Sequence, residues 1–138
     1  MAYKSGLGYF TTGGTHQVAN GDVGFFTVTG LIMVTSIYGV VTIVAAGASV
    51  AGFYAAGTGL TRSAWCVGAD IDTALVGDLV TINSVAGTLT TVFTGVSAQY
   101  NILAAAGVVG MFSSAAQGTL TCYMTWIPMT DGSTVVLL

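Results

Sequence analysis

From Val23 to Thr61, and again from Leu79 to Thr130, the chain carries no charged residue. No feature limits the outcome more. A soluble domain is about 25% charged, whereas this chain is 5% charged and 54% hydrophobic. A sequence so poor in charge and rich in apolar side chains cannot stay disordered. Its 138 residues suit one domain with a real core. Lys4 and Arg62 are the only cations, too few to neutralise a run of phosphates, which excludes a nucleic-acid partner.

Charge-free length alone would also suit a membrane. The stretch 31–53 is apolar enough to be flagged as a span. Three features argue against this. No flank carries the cations that would orient a span. The stretch is dense in β-branched residues, Ile32, Val34, Thr35, Ile37, Val40, Val41, Thr42, Ile43 and Val44. Small residues also interrupt it, at Ser36, Gly39, Gly47, Ser49 and Gly52. A small membrane protein spanning at 31–53 stays as an alternative. The start, Met1 to Gly6, runs into Gly- and Thr-rich sequence and not into an apolar signal-peptide core, so secretion is not implied.

Periodicity decides the class. Leu120, Cys122, Met124 and Trp126 alternate with Thr119, Thr121, Tyr123 and Thr125, a period of two with an apolar and a hydroxyl-bearing face. Pro128 ends that strand, Asp131-Gly132 turns the chain, and Thr134 to Leu138 forms a last strand. Upstream, Asn20-Gly21-Asp22 precedes a strand at Phe25 to Thr29. Leu31 to Ile37 and Tyr38 to Ala46 are two strands or one bent at Gly39, and Ser49 to Ala56 is followed by Leu60 to Val67. Leu79 to Val85, Thr88 to Phe93, Asn101 to Ala104 and Val108 to Phe112 complete the set, with Asp72 to Val76 and Ala104 to Ala106 as places for a helical turn. All five acids are Asp, a turn former, and Glu, a helix former, is absent. The expectation is an all-β fold: one antiparallel sandwich or barrel, jelly-roll-like, with little or no helix. It spans residues 1–138, with 1–22 as an N-terminal arm and 129–138 as a C-terminal edge segment.

Groups able to do chemistry are few. His16, the only histidine, sits in Gly13-Gly14-Thr15-His16-Gln17 with no partner to orient it, and reads as a polar loop residue. Asp70, Asp72 and Asp78 could hold calcium, but they lack the EF-hand spacing, and turn-amide capping is the commoner use. Cys66 and Cys122 read as core hydrophobes, with a disulfide between them as the alternative. With one histidine they cannot complete a four-ligand zinc site. Trp65 and Trp126 read as packing residues more readily than as a sugar platform. No catalytic residue, cofactor or metal is expected. A charge-poor β domain must cover its edges and apolar faces, so the chain reads as part of an assembly.

Three stretches carry a resemblance. They are Phe26 to Thr42 (FTVTGLIMVTSIYGVVT), Cys66 to Ile71 (CVGADI) and Gly118 to Val136 (GTLTCYMTWIPMTDGSTVV). Together they resemble small virion proteins of tailed bacteriophages, and the size suits a capsid decoration, or cement, protein. The resemblance implies a mostly β protein, often a homotrimer, that binds the major capsid protein lattice on the outside of the capsid. It fits a tail or spike component as well. On that reading the expected interface carriers are Tyr3, Tyr9 and Phe10 in the N-terminal segment, Phe25 and Phe26, and the terminal strand Val135, Val136, Leu137 and Leu138.

Overall fold

The computed structural model describes residues 9–44, 47, 50–82, 89–92, 101–116 and 118–138. Among the described residues twelve strands follow one another: β1 (Phe10–Gln17), β2 (Gly21–Thr29), β3 (Ile32–Ile43), β4 (Val50–Gly57), β5 (Ser63–Ala64), β6 (Ala69–Asp70), β7 (Leu79–Ile82), β8 (Leu89–Val92), β9 (Ile102–Ala104), β10 (Gly107–Ser113), β11 (Thr119–Pro128) and β12 (Thr134–Leu137). No helix occurs among the described residues. The expected strands Leu79 to Val85 and Thr88 to Phe93 lie partly outside them.

Two antiparallel sheets pack face to face. One has the order β1-β11-β3-β7-β8, with β9 also on β3. The other runs β12-β2-β10-β4-β5, with β6 also on β4. Along the chain β1, β2, β3 and β4 alternate between the sheets, and β10, β11 and β12 return beside them. β11 inserts between β1 and β3, and β10 between β2 and β4. This interleaving is the double Greek key of a jelly roll. The stretch 31–53 is thereby divided between β3 in one sheet and β4 in the other, and no helix among the described residues is long and apolar enough to cross a membrane.

The core lies between the sheets. β11 supplies Leu120, Cys122 and Met124, all fully buried, and Trp126. Ile32, Val34, Ile37 and Val41 of β3, Phe26 and Val28 of β2, Phe53 of β4, and Val109 and Met111 of β10 meet them. Trp126 keeps its indole N–H satisfied by donating to Thr12 Oγ1 at 3.1 Å.

Bulges set the phase of the two longest inner strands. In β3 the register against β11 slips twice. Thr125 and Trp126 face Ser36 and Val34, and Thr119 and Leu120 face Ile43 and Val41, so Thr35 and Thr42 are the extra residues. Each extra threonine donates its hydroxyl to a β11 carbonyl, Thr35 to Thr125 at 3.0 Å and Thr42 to Thr119 at 3.1 Å. The bend expected at Gly39 is therefore at these threonines. Gly39 instead leaves room for Leu120 and Cys122.

The described part of 1–22 is built into both sheets. All of β1 pairs with β11, from Phe10 opposite Trp126 to Gln17 opposite Thr119, and β2 begins at Gly21. It does not stand off as an arm. The sequence hides β1 because its inward positions are Phe10, Thr12, Gly14 and His16, mostly not apolar. The segment at 129–138 forms a turn and then β12, the edge strand of the second sheet.

Candidate interaction surface

β1 and β12 are the outermost strands of their sheets on the same flank of the sandwich. They meet where Leu137 packs onto Gly14; a Cβ at Gly14 would collide with the Leu137 side chain. The strand that follows Tyr9 and the strand that holds Val135 to Leu137 are thus brought together, although they stand more than a hundred residues apart in sequence.

Within β12 the side chains divide by pleat. Val135 points inward and is 9% exposed, whereas Val136 points out and is 60% exposed. Leu137 covers Gly14 and remains 41% exposed, and Leu138 reaches over Gly24 with 60% exposed. The backbone N–H of Leu138 donates to Phe25 O at 3.0 Å, which ties down the end of the chain. At the start of β1, Tyr9 and Phe10 are exposed, and the Phe10 ring stacks on Trp126 with centroids 5.0 Å apart. Tyr3 lies outside the described residues.

Phe25 and Phe26 require correction, because both are fully buried. The β2–β10 register slips here: Gly24 faces Gly110 and Phe26 faces Val109, which leaves Phe25 as an extra residue. A bulge lets two successive side chains enter the same interior, where strict alternation would have exposed one. These rings are core, and they cannot anchor a partner.

Other apolar side chains are exposed at the two ends of the sandwich. Ile43, Val50, Leu75 and Val76 lie at one end, and Leu60, Leu103 and Met129 at the other. Beside Leu60, on the outer face of the second sheet, Thr27, Ala56, Gly57 and Val108 line an open groove of about 590 Å³.

The titratable groups have structural tasks. Asp70 Oδ1 accepts from the N–H of Asp72 at 3.0 Å, and Asp78 Oδ2 accepts from that of Leu75 at 2.8 Å, so both carboxylates cap turn amides. No group of three or more metal-ligating side chains is assembled among the described residues. Cys66 and Cys122 both lie buried in the core and are not joined by a disulfide, and burial pushes the Cys122 thiol far above its ordinary range. Arg62 forms an ion pair with Asp22 and lies over the Phe112 ring, 4.4 Å from its centroid. That contact straps the chain between β4 and β5 across β10 to β2.

His16 also differs from expectation. It is a β1 strand residue, not a loop residue, and its ring stacks on Phe25 with centroids 4.5 Å apart and planes 16° apart. Its Nε2 is buried without a hydrogen-bond partner, and burial holds the imidazole pKa below its ordinary 6.5. Among the described residues nothing titratable shifts it besides burial, and the ring packs flat on Phe25.

The arrangement presents an uncharged pair of edge strands with Tyr9, Phe10, Val136, Leu137 and Leu138 exposed. No protein-family model, no curated protein and no solved structure matches this chain.

Proposed function

We propose that this chain is a structural protein of a tailed-bacteriophage particle. It decorates and stabilises the capsid by binding the major capsid protein lattice as a homo-oligomer. The resemblance of residues 26–42, 66–71 and 118–136 motivates the reading. One observation carries it: the flank formed by β1 and β12 has no charged side chain and keeps Val136 and Leu138 each 60% exposed. A free monomer has no use for such a flank, whereas a component of a shell covers it. Contacts of this kind depend on apolar burial and backbone pairing, so no cofactor, catalytic step or nucleic acid takes part. The protein would reside on the capsid surface and, during assembly, in the host cytoplasm.

The test is the number of copies per particle, measured by quantitative mass spectrometry on purified virions of the phage that encodes the chain. A number comparable with that of the major capsid protein is the expected result. A small fraction of it would assign the chain to the tail or a spike, and absence from purified particles would end the reading.

A further inference from the structure

The four strand edges of the sandwich are treated differently. On the flank away from β1, the strands β5 and β6 have two residues each, β9 has three and β8 has four. Short edges give an incoming strand little to pair with. β1 is the opposite case. Its eight residues pair with β11 in an unbroken register, and it contains no charge, proline or bulge. No described strand occupies its other side. Among the described residues, none of the charges, prolines, bulges or covering strands that block edge-to-edge pairing is found at β1.

The sequence of β1 also complements itself. Residues opposite Thr119, Thr121, Tyr123 and Thr125 point outward, namely Gln17, Thr15, Gly13 and Thr11. Phe10, Thr12, Gly14 and His16 point inward. A two-fold axis perpendicular to the sheet at Gly13 pairs inward residues with inward and outward with outward, as an isologous contact demands. Thr11 then faces the partner's Thr15, and Phe10 faces the partner's His16. β1 already makes such outward pairs within the chain, where Thr15 and Thr121 hydroxyls are 2.9 Å apart and those of Thr11 and Thr125 are 3.4 Å apart. The glycine on the axis brings no Cβ to the closest approach of the two backbones. The same rotation sets the two β12 strands on the contact side.

We infer that two copies of this chain join through β1, antiparallel about Gly13, into one sheet that runs continuously through both. This rests on the self-association in the proposed function and names the strand and register that perform it. The contact is two-fold, so a three-fold ring that used it would become a hexamer.

Charge placed at Thr11 and Thr15 tests the register. On one strand these residues are roughly 13 Å apart, too far for much mutual influence, but across the axis they are direct neighbours. T11K/T15K sets lysine against lysine twice, and T11K/T15D sets lysine against aspartate twice. Both variants lose the same threonine hydroxyls, so each controls for the other. Light scattering after size exclusion should show an even-numbered oligomer for the unaltered chain. T11K/T15K should halve that mass while keeping a cooperative thermal transition, and T11K/T15D should restore it. A monomer or a bare trimer of the unaltered chain would overturn the inference, as would an oligomer that T11K/T15K leaves intact or that both variants dissociate alike. An oligomer indifferent to T11K/T15K removes β1 pairing alone, whereas a failed copy-number test removes the capsid role alone.

Discussion

At the scale of single residues, a buried polar group is either hydrogen-bonded or costs stability. Among the described residues His16 is of the second kind, with Nε2 buried and unpartnered against Phe25. Because burial lowers its folded pKa below 6.5, the unfolded chain takes up the proton first as the solution is acidified. The contribution is therefore fully present above the unfolded pKa and is lost as the pH falls through 6.5 toward the folded value. Melting temperature should drop between about pH 7.5 and about pH 5.5, and H16F should remove most of that slope. An unchanged slope in H16F would place the titration elsewhere. The bulge threonines give a second prediction. Thr35 is half-buried and Thr42 exposed, so losing the hydroxyl strands a carbonyl in one case and leaves water to replace it in the other. T35V should cost about 1 kcal/mol in urea unfolding and T42V clearly less. Neither residue was marked in the sequence, because a bulge is a relation between two strands and leaves no period of its own.

Among the elements, β11 was the most legible and β1 the least. β11 lies between β1 and β3 in its sheet, faces the core on one side only, and so shows uninterrupted alternation from Thr119 to Trp126. β1 shows no such pattern. Its inner side is filled from elsewhere, by Leu137 at Gly14 and by Phe25 at His16. β12 mixes both roles, since Val135 belongs to the core and Val136 to the surface. Removing residues 135–138 therefore does more than erase a contact. It uncovers β2, opens the space beneath Gly14, and should destabilise the fold by at least about 2 kcal/mol. V136K touches only the outer face and should change stability by less than about 0.5 kcal/mol. Equal losses in the two variants, measured by denaturant unfolding, would mean that β12 is not built into the core as described. The turn before β12 is held by side chains, with the Thr130 and Ser133 hydroxyls 2.8 Å apart and Ser133 donating to Leu31 O at 2.8 Å. This cluster fixes where β12 meets β2.

For the whole molecule, topology and charge poverty set the behaviour. Phe10 pairs with Trp126 and Gln17 with Thr119, so the first sheet cannot close until almost the entire chain is present. Refolding, followed through Trp126 fluorescence, should take on the order of milliseconds to seconds, the range for sheets built from distant partners. A microsecond phase carrying the full amplitude would contradict this topology. Association should depend little on ionic strength between about 0.05 M and about 1 M salt, because neither β1 nor β12 carries a charged residue. A steep loss of oligomer with salt would move the contact to Arg62 and the aspartates. What the sequence by itself determined was local: strand and not helix, from period two and β-branched residues; turns at Asp131-Gly132 and Asn20-Gly21; the turn-capping use of Asp70; and a scarcity of charge. What only the tertiary structure decided was relational. It showed which strands are neighbours, that three bulges shift the phase and turn both Phe25 and Phe26 inward, that His16 is a packed strand residue, and that the first and last strands form one flank. The division has a physical cause. Side-chain alternation is written into consecutive residues, whereas register, bulge position and edge exposure arise from hydrogen bonds between residues far apart in the chain, and these exist only once the sheets have formed.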